Sequence, residues 1–282
     1  SRRSSADITN WTTVHRLNFN RTFGKHTVSA IAGFEAGSRD YTTMYVTGSG
    51  FINDNIRDVS QANTRDGYNS SSRRRKVSVL GQATYSFDHR YYLTVNGRKD
   101  GNSQFGSDVR WANFASVGAS WNIHNEKFAK NWDWLNTLTL RYSAGYTGSV
   151  SFDYYQAKTV YKYDSSNLYY TGIGAIPRQM GNSNLKWQRT FNNNVGITGA
   201  FLKNRFNFSL DFYSNTTYDT LMSFNLPPSV GATSMQVNFG EINNKGVDLS
   251  VSGHIISNKN WFWSMTITGG HVMDEIRKIW IR

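Results

Sequence analysis

Apolar and polar residues alternate one for one along much of this chain. Between Lys76 and Phe87, the residues Val77, Val79, Gly81, Ala83, Tyr85 and Phe87 interleave with Lys76, Ser78, Gln82, Thr84 and Ser86. After Asp88-His89-Arg90, Tyr91, Leu93, Val95 and Gly97 occupy one parity, and Thr94, Asn96, Arg98 and Asp100 the other. Further on, Ala115, Val117, Ala119, Trp121 and Ile123 alternate with Ser116, Gly118, Ser120 and Asn122. A period of two sustained over about ten residues predicts strands with one apolar and one polar face, not helices. The stretch Arg73 to Ile123 therefore reads as three long strands, with a tight turn at Asp88-His89-Arg90 and a polar loop at Gly101 to Arg110.

The rest of the chain repeats this unit. A strand is predicted over 11–23, a turn at Gly24-Lys25-His26, and a second strand over 27–37, with Val28, Ala30, Ala32 and Phe34 on one face. A long polar loop over 38–72 precedes the central unit, and a short connection over 125–132 follows it. Leu138, Leu140, Tyr142, Ala144 and Tyr146 mark the sixth strand, and a second long loop covers 148–183. Strands over 185–199 and 206–213 flank a turn at Leu202-Lys203-Asn204. After a loop over 218–238, Val247, Leu249, Val251 and Ile255 form the ninth strand, and Trp261, Trp263, Met265 and Ile267 the tenth. The terminal Ile279-Trp280-Ile281-Arg282 is strand-like.

About ten strands result, and their connections alternate short and long. Strict alternation puts the short turns at one end of the sheet and the long loops at the other. That asymmetry is the pattern of an outer-membrane barrel with short periplasmic turns and long extracellular loops. The strands also exceed the usual ~5–6 residues and reach the ~9–11 needed to cross a bilayer. Rings gather at the ends of the apolar faces, at Tyr85, Phe87, Tyr91, Trp121, Trp261 and Trp263, where an interfacial girdle would place them. The fold class is therefore all-β, an antiparallel transmembrane β-barrel segment. The alternative is a soluble β-sandwich or solenoid whose apolar faces pack on each other. Burial of Val77, Val79, Ala83 and Tyr85 beneath a second sheet would mark it.

Composition sharpens this choice. Hydrophobic residues are 38% of the 282, low for a globular core, while aromatics reach 15%. That balance suits strands that are apolar on one side and wet on the other. No apolar run is long enough for a membrane helix, which leaves barrel strands untouched as an option. The chain has no Cys, so disulfides and thiolate metal sites are out. A net charge of +12 is spread along the chain apart from Arg73-Arg74-Arg75-Lys76. No dense basic patch or known module predicts nucleic acid as a partner.

Candidate chemistry is sparse. The six His show no close ligand spacing, and His26, His89 and His124 fall beside short turns, where solvated roles are expected. Asp100-Gly101-Asn102-Ser103 lacks the closing Glu of a calcium loop and reads as an Asx turn. Gly48-Ser49-Gly50 and Gly172-Ile173-Gly174 lack the strand–turn–helix setting of a phosphate loop. Asp274-Glu275 reads as solvated charge near a frayed end. No catalytic constellation, cofactor site or metal site is predicted, and the chain is not expected to be an enzyme. Two uses of Arg73–Lys76 stay open: contact with anionic lipid phosphates at the outer rim, or a solvated charge run at a loop end. Arg98, Asp100 and Arg141 on the polar parity, with Arg110 at a loop end, are the candidates for meeting solute in the lumen or at its rim.

A family resemblance rests on motifs in order. Arg98-Lys99-Asp100-Gly101-Asn102-Ser103-Gln104-Phe105-Gly106, then Arg110-Trp111, Phe114, Ser116, Trp121 and Asn125-Glu126, resembles the central barrel signature of the SusC/RagA-type TonB-dependent outer-membrane transporters of Bacteroidetes. Leu138 to Gly148, Asn184-Leu185-Lys186-Trp187 with Thr190, and Gly240-Glu241-Ile242-Asn243-Asn244-Lys245-Gly246-Val247-Asp248-Leu249 are similar to later motifs of that family. Ala115, Ser149, Ser183 and Asp248 depart from its usual residues. The resemblance implies a plugged barrel of about 22 strands, energised by TonB, seated in the outer membrane among lipopolysaccharide, and served by a SusD-like lipoprotein. It implies import of oligosaccharides or peptides. Residues 1–282 are then expected to be part of the barrel wall, with the plug domain absent. The competing functions are a soluble glycan-binding module, for which the Tyr-rich loop from Tyr154 to Tyr170 supplies rings, and a general diffusion channel.

Overall fold

A computed structural model describes residues 1–279 except 54, 56, 57, 171 and 233. Twelve strands follow in order: β1 (Arg2–Phe23), β2 (His26–Ser49), β3 (Thr64–Phe87), β4 (Tyr91–Asn102), β5 (Trp111–Asn122), β6 (Leu135–Ser149), β7 (Val160–Tyr169), β8 (Gly172–Gln179), β9 (Gln188–Phe201), β10 (Phe206–Asn225), β11 (Ser234–Ser257) and β12 (Phe262–Lys278). Ten of them form one antiparallel sheet in the order β1-β2-β3-β4-β5-β6-β9-β10-β11-β12. β7 and β8 pair only with each other, as a hairpin within the β6–β9 connection. The sheet does not close: β1 and β12 are its two edges.

The registers continue the sequence parity from strand to strand. Phe34 is opposite Val79, Tyr85 opposite Leu93, and Val95 opposite both Ala83 and Val117. The same rows carry on through Ala119 and Tyr142 to Val195, Phe212, Val247 and His271. One face of the sheet is thus apolar from β2 to β11, and the edge strands add Leu17 and Phe19 of β1 and Met265 and Ile267 of β12 to it. Among the described residues no second sheet covers it: Val79 is 54% exposed and Tyr85 39%. That removes the sandwich reading and the soluble binding module that depended on it. Buried apolar side chains lie instead in the connections or at strand ends, for example Val59, Phe105, Ala129 and Leu185.

The strands run further than their hydrophobic pattern indicates. β2 and β3 are paired up to Ser49 and Thr64, and β1 pairs with β2 up to Thr47, which places most of the predicted 38–72 loop in a three-stranded extension. β10 and β11 likewise reach Asn225 and Ser234, inside the predicted 218–238 loop, and β1 starts at Arg2. At about 3.4 Å per residue, a 24-residue strand spans roughly 80 Å, far more than a bilayer. Beyond the bilayer both faces meet water, so alternation disappears while backbone pairing continues. The predicted terminal strand falls mostly on 280–282, outside the described residues; β12 ends at Lys278.

The two ends of the sheet differ. Connections 24–25, 88–90, 123–134, 202–205 and 258–261 share one end; 50–63, 103–110, 150–187 and 226–233 share the other. At the short-turn end Asp88 and His89 both take left-handed backbone (φ 52° and 53°), the local twist that a tight hairpin requires. Rings line that end of the apolar face: Tyr91 stacks on Trp121 at 6.4 Å, and Trp132, Trp134, Phe201 and Phe208 form a ladder spaced 5.5–5.8 Å. Gly199 makes room for the last ring, since a Cβ there would lie 2.4 Å from Phe208.

Glu126 ties this end together. It accepts from the Tyr91 hydroxyl at 2.5 Å, Arg90 Nη1 at 2.9 Å and Trp121 Nε1 at 3.1 Å. These donors, Tyr91 foremost, outweigh desolvation and hold its carboxyl below the ordinary glutamate value. A depressed pKa in the fold contributes stability that is present above the unfolded-state pKa and lost as pH falls through the folded one. Glu126→Gln should therefore lower the thermal midpoint at pH 7, and the gap to the parent should shrink as pH drops below about 4. Thermal melts of both proteins across that range test this; a gap that stays constant refutes the assignment.

Candidate solute-facing wall

The polar parity of the sheet carries the candidate site. From β2, Glu35 accepts from Lys76 of β3 and from Arg98 Nη2 of β4 at 3.5 Å. Arg98 Nε donates a bifurcated bond to both Asp100 carboxylate oxygens, at 2.7 and 2.8 Å, and its Nη2 donates to Ser78 at 3.0 Å. These residues share a face because Glu35 is opposite Ser78, and Ser78 opposite Asp100. Neighbouring rungs are tied by Thr84 to Thr94 at 3.1 Å and Asn96 to Ser116 at 3.1 Å. An open cleft of about 530 Å³ lies over this network, lined among others by Arg74, Lys76, Arg98, Asp100, Phe114 and Trp187.

The four predicted residues separate into three places. Arg98 and Asp100 are paired in the large cleft. Arg141 Nη2 donates to Asp211 at 3.2 Å in a second hollow, with Tyr92, Thr94, Ser120 and Asn194 around it. Arg110 lies in neither; its carbonyl accepts from Asn102 N and Trp187 Nε1, both at 3.2 Å, and its side chain is exposed at the long-loop end. The Asx turn expected in Asp100-Gly101-Asn102-Ser103 is made by Asn102, whose Oδ1 accepts from Gln104 N at 3.0 Å, while Asp100 and Gly101 continue β4. Asp274 also lies inside a strand, accepting from Asn244 at 2.6 Å.

Arg73–Lys76 is not a loop-end cluster. It sits within β3, so its residues alternate between faces. Arg73, paired with Asp40, and Arg75 are on the apolar parity above its hydrophobic rows; Arg74 and Lys76 are on the polar parity. Glu35, Arg39 and Asp211 are polar-face residues that the sequence does not single out, and Arg74, noted only as part of the basic cluster, joins them. Carrying the parity of Val77 or Val28 onward would have found Glu35, Arg39 and Arg74.

Above the cleft, two connections form a small core of their own. Phe105 is 2% exposed and Leu185 0%. Trp187 stacks on Phe105 at 4.4 Å, Phe152 meets Phe105 edge-on at 5.1 Å, and Phe114 meets Trp187 at 5.7 Å. Gly106 is needed for close approach: a Cβ there would lie 1.7 Å from the Ser183 carbonyl oxygen. The motif residues of 103–106 and 184–187 thus clamp one loop to another.

An antiparallel sheet with an unburied apolar face, a polar face bridged by ion pairs, a ring girdle and long loops at one end is the wall of a transmembrane β-barrel. Residues 1–275 match the family model described as TonB dependent receptor-like, beta-barrel, and the chain belongs to that family. It is 29% identical over 268 residues to TonB-dependent receptor P39 of Formosa agariphila, covering 93% of this chain and 26% of that protein. It is 33% identical over 220 residues to TonB-dependent receptor SusC of Bacteroides thetaiotaomicron, covering 74% of this chain and 21% of SusC. The RagAB peptide transporter structure superposes with a TM-score of 0.91 at 28% identity, covering 99% of this chain and 31% of that one. The chain thus spans between a fifth and a third of the length of these relatives. In outer-membrane β-barrels generally, the apolar band faces lipid, the interior is polar, the short turns are periplasmic and the longer loops extracellular.

Proposed function

We propose that this chain is a ten-strand part of the barrel domain of an outer-membrane TonB-dependent transporter, and that the transporter imports oligosaccharides or peptides with a SusD-like surface lipoprotein. The observation that carries this is the two-faced sheet: an apolar face left uncovered, backed by a polar face of paired charges. SusC and the RagAB peptide transporter among its relatives support the two substrate classes. TonB acts through parts of the transporter other than this wall, such as a plug. The wall binds and guides, with no catalytic role. Arg98, Asp100 and Arg141 line the path, and Arg110 stands at its rim. On the lipid side, Arg75 and Lys99, the latter over the Trp111 ring at 5.6 Å, stand just above the apolar rows and suit lipopolysaccharide phosphates.

Uptake of fluorescent oligosaccharides and peptides by cells making the full-length transporter tests this. Accumulation should require TonB, and Arg98→Gln should lower it roughly tenfold at limiting substrate, since a charge-assisted contact is removed. Accumulation that persists undiminished without TonB would overturn the reading in favour of a diffusion channel.

A further inference from the structure

The polar face carries an uncompensated pair of arginines above the paired network. Arg39 of β2 is directly opposite Arg74 of β3, and Asn10 of β1 is directly opposite Arg39. The row Asn10–Arg39–Arg74 therefore crosses three strands on one face. Directly opposed side chains have Cβ atoms roughly 5 Å apart, and like charges in such pairs are unfavourable. Neither guanidinium makes an ion pair or side-chain hydrogen bond with a described residue. The two nearest carboxylates on this face, Glu35 and Asp100, are taken by Lys76 and Arg98. Asp40, adjacent to Arg39 in sequence, points to the other face, where it holds Arg73. Four cations and two carboxylates share this part of the wall.

The surroundings suit a ligand rather than bulk solvent. Arg74 lines both the large cleft and a smaller hollow of about 170 Å³ formed with Asn10, Trp11, Thr12, Arg39 and Lys76. Further up the same face, Tyr45 lies against Tyr68 at 5.4 Å, with Arg2 over the Tyr45 ring at 4.5 Å. An oligomer extended along β2 and β3 would meet rings first and the cation pair below them. The pair stands above the apolar rows that end near Ala36 and Val77, and hence in the extracellular vestibule.

We infer that Arg39 and Arg74 form a carboxylate-binding subsite, and that the substrate is an acidic oligomer whose carboxylates relieve this like-charge contact. Two guanidinium forks side by side match planar carboxylates. The inference rests on the transporter reading above and narrows its substrate class.

The test uses the full-length transporter, purified in detergent, and two matched probe pairs: trigalacturonate against its methyl ester, and triglutamate against triglutamine. At least one acidic probe should bind roughly tenfold or more tighter than its neutral partner, and the preference should weaken at high salt. The double variant Arg39→Gln, Arg74→Gln should lose that preference, and Arg39→Lys, Arg74→Lys should keep most of it. Heat-modifiable gel mobility checks that each variant folds, so the lysine variant keeps the test decisive if the glutamine one fails. Equal binding of every acidic probe and its neutral partner, or a preference that survives in the glutamine variant, overturns the inference. The transporter reading is judged separately by TonB-dependent uptake of labelled probes, which stands even if charge makes no difference.

Discussion

Val95→Arg is expected to prevent this wall from assembling stably in a bilayer. Val95 is midway along β4 between Tyr91, in the ring girdle, and Lys99, at the opposite end of the apolar rows. At about 3.4 Å per residue those limits are roughly 27 Å apart along the strand, so Val95 lies near the bilayer midplane. Its side chain is 50% exposed, and the residues opposite it, Ala83 and Val117, offer nothing to receive a guanidinium. A cation at that depth on a lipid face costs about 2–4 kcal/mol. Asn96→Arg, one residue along, turns into the lumen and loses only the contact to Ser116, on the order of 1 kcal/mol. Urea unfolding in lipid vesicles, read by heat-modifiable mobility, should separate the two variants clearly. Equal midpoints would mean that the apolar face of β4 does not meet lipid.

The second large effect is expected at Phe105→Ala. Phe105 is 2% exposed and packed against the half-buried rings of Trp187 and Phe152, so its removal leaves a cavity in the ring cluster at the long-loop end. Truncating a buried Phe costs about 3–5 kcal/mol. The loss should be local, because these contacts join connection 103–110 to 150–187 and leave the ten-stranded ladder intact. Hydrogen exchange should rise at 103–110 and 182–187, with little change in β4, β5 or β9. Gly106→Ala should have a similar result through a clash of backbone with Cβ, which no side-chain rotation relieves. Unchanged exchange in both variants would show that the clamp does not order these loops.

The clamp also shows where sequence reading stops. Gly101 to Arg110 and 148–183 are polar, aperiodic stretches, and nothing in them says that Phe105 and Trp187 meet. That contact depends on β6 and β9 being neighbours, so that a 38-residue connection returns beside the β4–β5 loop. The hairpin of β7 and β8 is not legible either, because the sequence of 160–179 shows no sustained alternation. Arg98 and Asp100 were legible because their parity could be counted from Val95. Arg39 was not, because the loop predicted from Ser38 onward gave it no parity to count.

What the chain determines by itself is local and periodic. Alternation sets the strands, the unequal connections set which end is which, and the scarcity of aliphatic residues together with abundant rings suits strands that are apolar on one face and wet on the other. These follow from a side-chain period of two and from the cost of apolar surface in water, both of which act residue by residue. Tertiary structure alone decides which strands are adjacent, how far each pair continues past the membrane, and which charges stand on one rung. The opposition of Arg39 and Arg74 and the reach of Arg98 to Glu35 and Ser78 depend on cross-strand register, and the seating of Phe105 against Trp187 on which strands are neighbours; both are set by the pairing of whole strands, which no single segment encodes.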